Sequence, residues 1–282
     1  MSEQKDERLK SLLQTVPPGF FVDSRWLTTR RIRRSSVHDY AKRGWLEHVT
    51  HGLYRRPTQT GAAAGPDLQD WRILVLSLQK VMGYSIHVGG MTALQQRGYS
   101  HYLRLGGSET VFLYGERIPS WIKKAPTSAR LSLRSLKLFD GSTLGVDREP
   151  KFEPDSPSTL TPWWNWPLQT STPERAILEA LDELPEHGSF HSIDVAFESL
   201  TTLSPKKLSA LLTQCKSVKV KRLFFVFADR HAHTWRKHVH PEAVDLGAGD
   251  RSLVKGGKLH KQYRITVPPE YVAQRQEAAS GT

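Results

Sequence analysis

RRIRRSSVHDYAKRGWLEHVTHGLYRRP, residues 30–57, crowds four arginines into five positions directly before a segment with helical spacing. Ser35 or Ser36 can cap that helix, and Val37, Tyr40 and Ala41 share one face of it. Gly44 is a C′ stop, after which Trp45 and Leu46 are expected to return to the core. Val49, and then Leu53 with Tyr54, mark two short strands, with His51 and Gly52 at the turn between them. Upstream, Leu9, Leu12, Leu13 and Val16 form a helical stripe that Pro17, Pro18 and Gly19 end. After the apolar run Phe20, Phe21, Val22, either Asp23 or Ser24 can cap a short second helix carrying Trp26 and Leu27. Helix, helix, helix, hairpin is the element order of a winged helix-turn-helix, in which the third helix lies in a major groove.

Charge points the same way. The chain of 282 residues has a formal net charge of +12, and the excess is clustered. Residues 19–57 hold nine Lys and Arg against three acids, residues 216–264 hold twelve against four, and residues 173–200 hold one against seven. Two basic blocks around an acidic segment are the footprint of a polyanion ligand. The plainer reading is a solvated charged face. On the third helix, Ser35, Ser36, His38, Asp39 and Lys42 lie opposite the apolar face and can reach base edges. Arg30, Arg31, Arg33 and Arg34, with Arg43, Arg55 and Arg56, would straddle the phosphates, and His51 of the turn is a further DNA-binding candidate. Repulsion among these arginines is relieved when phosphates neutralise them and counterions leave. The competing reading is a small three-helix packing module with an incidental basic surface.

GFFVDSRWLTTRRIRRSSVHDYAKRGWLEHVTHGLYRRP resembles the N-terminal domain of the AbiEi antitoxins of type IV toxin–antitoxin pairs. The matching features are Ile32 in a turn, the run Lys42, Arg43, Gly44, Trp45, Leu46, and the wing residues Gly52, Leu53 and Tyr54. The chain departs from the pattern in carrying Arg31 where that family usually has a small residue such as Gly, and Arg33 where a Ser often caps. GGMTALQQRGY, STPERAILEALDELP, KSVKVKRLFFVFADRHAHTW and DRSLVKGGKLHKQYRITVP resemble the C-terminal half of an AbiEi subgroup, in which KRLFFVFA is helical. The resemblance implies autorepression at operator inverted repeats, as a monomer or weak dimer on double-stranded DNA. It also implies a nucleotidyltransferase-like toxin as the functional partner, with physical contact as a further possibility.

Beyond the small-residue linker at 61–67, Trp71, Leu74, Val75 and Leu78 form another helical stripe. Gly89 and Gly90 precede a helix with Met91 and Leu94; no Lys-Ser/Thr follows, so the pair reads as a tight turn and not as a phosphate loop. VFLY (111–114) and LSLRSLKLF (131–139) are strand-like, the second with a bulge near Arg134 and Ser135. PWWNWP (162–167) is either a stacking platform for bases or, more simply, a seal between domains. STPERAILEALDELP starts a helix with Pro173 in its first turn and Ala176, Ile177, Ala180, Leu181 and Leu184 inward. SIDVAFESL and SPKKLSALLTQC are further helices, and the acidic outer faces of the region 173–200 are expected to point away from DNA and to suit a protein. The periodicity of KVKRLFFVFAD is ambiguous. The last segment reads as a basic hairpin around Gly256 and Gly257, and Lys219, Lys221, Arg222, Lys255, Lys258 and Lys261 are candidates for a C-terminal basic surface.

Catalytic signatures are weak. His231, His233, His238 and His240 lack the spacing of a zinc site, and a polar helix end explains them. Asp140 with Glu149 and Lys151 mimics a nuclease pattern, but Pro150 removes a strand donor. The one cysteine, Cys215, forms no internal disulfide and suits a reducing cytoplasm, and no apolar run is long enough to span a bilayer. The expected fold is α+β: a winged helix-turn-helix at residues 1–60, then a larger mixed α/β domain at 67–282. The expected function is that of a DNA-binding antitoxin with no cofactor, metal or catalytic residue. A DNA-processing enzyme with a C-terminal metal-dependent nuclease site is the alternative.

Overall fold

A computed structural model of the chain describes residues 2–58, 69–99, 109–147 and 165–272. Among the described residues the fold mixes helices with three small sheets, and the chain divides into two compact units. One is Met1–His87 with Leu105–Arg134 and Arg148–Gln169; the other is Val88–Arg104 with Ser135–Asp147 and Thr170–Thr282. The first unit is therefore larger than the 1–60 segment and takes in residues on both sides of the small-residue linker.

In the first unit, α1 (Ser2–Thr15) leads into β1 (Phe21–Asp23), α2 (Ser24–Thr29), α3 (Arg34–Lys42) and the hairpin β2 (Glu47–Thr50) and β3 (Leu53–Arg55). The sheet has the order β1-β3-β2, antiparallel throughout, with Val22 opposite Tyr54 and His48 opposite Tyr54 on the other side. This is the element order expected of a winged helix-turn-helix, with β1 as an added strand. Leu12, Val16, Phe20, Phe21, Trp26, Leu27, Val37, Tyr40, Leu46 and Leu53 are buried in it. Trp45 is not: 43% of its surface is exposed, so only Leu46 of that pair returns to the core. Gly44, at φ +75°, ends α3 and points the two residues apart.

The unit continues with α4 (Trp71–Leu76), which widens into a π turn over Ser77–Val81, and with a sheet of β4 (Ile86–Val88), β5 (Thr110–Gly115) and β6 (Arg130–Arg134). β5 and β6 are parallel. The expected bulged strand over 131–139 is instead β6 followed by a 3₁₀ turn, Leu136–Phe139, which explains the shift in leucine phase after Arg134. The hydroxyl of the buried Ser77 accepts from the Phe21 amide at 3.0 Å and donates to the Ile73 carbonyl at 2.7 Å.

The second unit holds α5 (Gly90–Gln96), α6 (Pro173–Asp182), α7 (Phe190–Ser199), α8 (Pro205–Gln214), α9 (Val218–His231), and the hairpin β7 (Lys258–His260) with β8 (Ile265–Val267). Its centre is α6, packed against α5, α7, α8 and α9. The predicted inward stripe of α6, Ala176 to Leu184, is at most 1% exposed at every position. α9 is a helix, as the resemblance implied, with every residue from Val220 to Ala228 buried. Its lack of a polar face is why periodicity alone did not identify it.

The acidic segment divides between surface and interior, with Asp182, Glu186 and Glu198 exposed. Of the seven acids in 173–200, Glu174, Glu179 and Glu183 are buried. Glu179 and Arg175, one helical turn apart, pair at 2.7 Å with neither side chain more than 1% exposed. Glu179 also accepts from the Ser171 hydroxyl at 2.7 Å and from the Gly90 amide at 3.0 Å. The Arg175 guanidinium donates to the carbonyls of Ser142 and Leu144 and lies 4.4 Å over the Phe139 ring. Gly90 thus opens α5 at a turn, its amide given to an internal carboxylate. Replacing Glu179 with Ala leaves a buried guanidinium without its counter-charge, and unfolding stability should fall by about 3–5 kcal/mol. Urea denaturation followed by circular dichroism checks this. A change under about 1 kcal/mol would mean that the pair is not central to the unit.

Candidate nucleic-acid interface

The exposed face of the first unit is built from the α2–α3 turn outward. Asp23 caps α2, its carboxylate accepting from the Trp26 amide at 2.8 Å. Ile32 anchors the turn: it is 5% exposed and its amide reaches the Leu27 carbonyl at 3.0 Å. Between them Arg31 adopts φ +58°, the left-handed region that suits glycine better. α3 starts at Arg34, with Arg33 in the cap position and no side-chain cap, so neither Ser35 nor Ser36 serves as one. Both serines lie in the first helical turn instead.

Burial of Val37 and Tyr40 fixes how α3 is rotated. Arg30, Arg31, Arg33, Arg34, Ser35, His38, Lys42, Arg43 and His51 are exposed or partly so, while Ser36 and Asp39 flank the buried face. Arg30 stacks on Trp26, 4.9 Å from the ring centroid. Among the described residues, no ion pair is formed by Arg31, Arg33 or Arg34. A half-open cleft of about 330 Å³ separates α2 and the start of α3 from the β2–β3 wing.

Two wing arginines have other work. Arg55 donates from Nε and Nη2 to one Glu47 oxygen, at 3.0 and 2.7 Å, across the strand pair. Arg56 donates to the carbonyls of Leu13 and Val16 at 2.5 and 2.6 Å, closing the carboxyl end of α1. Burial lowers its pKa from the ordinary guanidinium value. Neither is a freely presented phosphate ligand. Sequence spacing does not reveal this, since Arg56 meets partners some forty residues away.

The expected C-terminal basic surface divides in two. Lys219 donates to the Asp182 and Leu184 carbonyls at 2.6 and 2.9 Å; Lys221 is 6% exposed. Arg222, 2% exposed, donates to five carbonyls, those of residues 246, 247, 248, 249 and 264. Lys221 and Arg222 are therefore interior, and the partly exposed Lys219 is tied to the carboxyl end of α6. Lys255, Lys258 and Lys261 are exposed. The hairpin turn falls at 261–264, between β7 and β8, and not at Gly256 and Gly257, which precede the first arm.

The remaining candidates are explained locally. His231 bonds the Asp194 carboxylate at 2.7 Å and His233 the Phe197 carbonyl at 2.7 Å, with the two rings stacked 6.0 Å apart. His240 lies 3.4 Å from Glu242. Among the described residues no group of three His, Cys, Asp or Glu side chains converges as a metal site. Exposed Asp140 pairs with Lys216 at 3.4 Å; Glu149, Pro150 and Lys151 lie outside the described residues. So do Trp163 and Trp164, while Trp166 packs on Phe20 at 5.4 Å. Cys215 is buried, and desolvation pushes its thiol up to about 11. No helix among the described residues is long and apolar enough to cross a membrane.

A family model described as "Transcriptional regulator, AbiEi antitoxin N-terminal domain" matches residues 5–105. One described as "Transcriptional regulator, AbiEi antitoxin, Type IV TA system" matches residues 108–268. Among curated proteins none matches. Among solved structures, the RV2827C protein from Mycobacterium tuberculosis is similar over 93% of this chain and 90% of that one, with a TM-score of 0.51 and 15% identity. At that identity the likeness is one of fold.

The two classes of arginine should separate in stability. Arg56→Ala removes a half-buried guanidinium from two carbonyls and should cost about 1–3 kcal/mol, whereas Arg33→Ala should stay within about 0.5 kcal/mol. Thermal melts of both variants measure the difference. Equal melting temperatures would return Arg56 to the freely presented group.

Proposed function

Because this chain belongs to the AbiEi antitoxin family of type IV toxin–antitoxin systems, whose members are transcriptional regulators, we propose that its winged helix binds operator inverted repeats in duplex DNA and represses its own operon. α3 enters the major groove as a monomer or weak dimer, with Ser35, Ser36, His38, Asp39 and Lys42 toward the bases. Arg30, Arg31, Arg33, Arg34 and Arg43 hold the phosphates. The observation that carries this reading is the cluster at the α2–α3 turn, where Arg31, Arg33 and Arg34 are exposed and outside any ion pair among the described residues. Such clustering costs self-repulsion in the free protein and gains counterion release on a polyanion. We read the chain as a regulator and not an enzyme. Asp140, the described member of the nuclease-like pattern, is exposed and paired with Lys216.

Changing Arg30, Arg33 and Arg34 together to Ala should weaken binding to every duplex sequence. It should also flatten the dependence of log K on log salt by about 0.9 for each phosphate that is no longer neutralised. Ser36→Ala or Lys42→Ala should instead alter sequence preference. Fluorescence anisotropy with the full chain across a salt series reads both effects. Absence of duplex binding at low salt would remove the reading.

The second unit, on this reading, counteracts a nucleotidyltransferase-like toxin. Lys255, Lys258 and Lys261 are the exposed remainder of the basic block and suit an acidic toxin face or the toxin's polyanionic substrate. Changing all three to Glu should leave the melting temperature within a few degrees of wild type, since exposed substitutions cost little. Rescue of cells expressing the toxin should drop. Unchanged rescue by the folded variant would make the hairpin a solvated face.

A further inference from the structure

The cleft between α2, the start of α3 and the wing joins an apolar floor to a polar rim. Its floor is apolar: Leu27, Ile32 and Val37. Its rim carries Ser24, Arg34, His48, His51 and Tyr54, and no carboxylate lines it. The nearby acids are engaged elsewhere. Glu47 on β2 is bonded to Arg55, and Asp23 at the start of α2 accepts from Trp26, Tyr84 and Trp121. The Thr28 hydroxyl, also on the rim, donates to the Ser24 carbonyl. A guanidinium, two imidazoles and two hydroxyls lining one space without an acid form a donor-rich wall suited to a tetrahedral oxyanion.

The wall is held in place by the backbone. The Ser24 amide donates to the Gly52 carbonyl at 2.9 Å, and Asp23 pairs with Leu53 in the sheet, so the wing turn is tied to the start of α2. A Cβ at Gly52 would sit 3.5 Å from the Ser24 hydroxyl, and its φ of +77° disfavours any other residue. The His48 ring packs edge-on against Tyr54 at 5.6 Å. A wall whose backbone is already in place has less conformational entropy to lose on filling.

We propose that this cleft is a phosphate-binding site, with Arg34 supplying the charge and His48, His51, Ser24 and Tyr54 the hydrogen bonds. The phosphate has two possible sources: a diester of the DNA backbone, pinned between α3 and the wing, or the free phosphate group of a small molecule. Only the first source rests on the DNA-binding reading above.

The test titrates inorganic phosphate into the full chain at about pH 6.5, near the ordinary imidazole pKa, and follows histidine ring ¹H–¹⁵N signals. Saturable shifts at His48 and His51 are expected, with the exposed His187 and His240 of the second unit unmoved. Arg34→Gln should weaken phosphate binding about five- to tenfold, the worth of one charge-assisted hydrogen bond. A second titration uses a duplex. Shifts at the same two rings, and weaker duplex binding in saturating phosphate, assign the site to the DNA backbone. Shifts with phosphate alone keep the site and assign it to a small molecule, leaving DNA binding to be judged by Arg30→Ala with Arg33→Ala, which spares Arg34. Three results overturn the proposal: no saturable shift with phosphate, a uniform drift of all histidines (an adventitious ion only), or an Arg34→Gln variant that binds phosphate as wild type does.

Discussion

Asp23 accepts three hydrogen bonds, one local from the Trp26 amide at 2.8 Å and two from distant parts of the first unit, the Tyr84 hydroxyl at 2.5 Å and the Trp121 indole at 3.2 Å. At 3% exposure it is a buried carboxylate whose oxygens are both engaged by donors, the condition under which such a group is tolerated. One residue thus starts α2, pairs with Leu53 in the sheet and binds the segment after the π turn to the helices before the linker. Burial and the bond to Asp23 together push the Tyr84 hydroxyl up to about 12, so the phenol keeps its proton across the neutral range. The orientation of α3 follows from this frame, because the short α2 and the turn at Ile32 leave it little freedom.

What the sequence made legible was local. Asp23 as a cap, the Leu9-to-Val16 stripe, Gly44 as a stop, the turn at His51 and Gly52, and the start of α6 at Pro173 each depend on a few neighbouring residues. What it hid was decided at long range. Arg56 finds its carbonyls at the end of α1, Arg222 finds five in the loop at 246–249 and at residue 264, and Glu179 reaches Gly90. β1 was unreadable for the same reason: three residues become a strand only because β3 lies beside them. Trp45 misled because its type favours burial, while the left-handed Gly44 before it turns the side chain outward.

Formal charge proved a poor guide to surface potential. Arg222 and Lys221 in the basic block, and Glu174, Glu179 and Glu183 in the acidic segment, are all buried. Desolvation, reinforced by Arg251 and Arg264, lowers the pKa of Arg222, while Asp250 opposes the shift and the carbonyl partners take its hydrogen bonds. Two opposite excesses in the sequence are therefore partly internal wiring of one helical core. The candidate interface keeps its charge at the surface because its arginines fall at a turn, where the backbone leaves them nowhere to be buried.

Arg31 sits at φ +58° in that turn, a conformation that costs a non-glycine residue about 1 kcal/mol. Glycine would remove the strain and also the charge. The position therefore sets two selective pressures against each other: variants that fold more firmly there carry one fewer cation. A screen that enriches only for thermal robustness would drift toward glycine at 31, and the rising melting temperature would hide the eroded electrostatics of the turn.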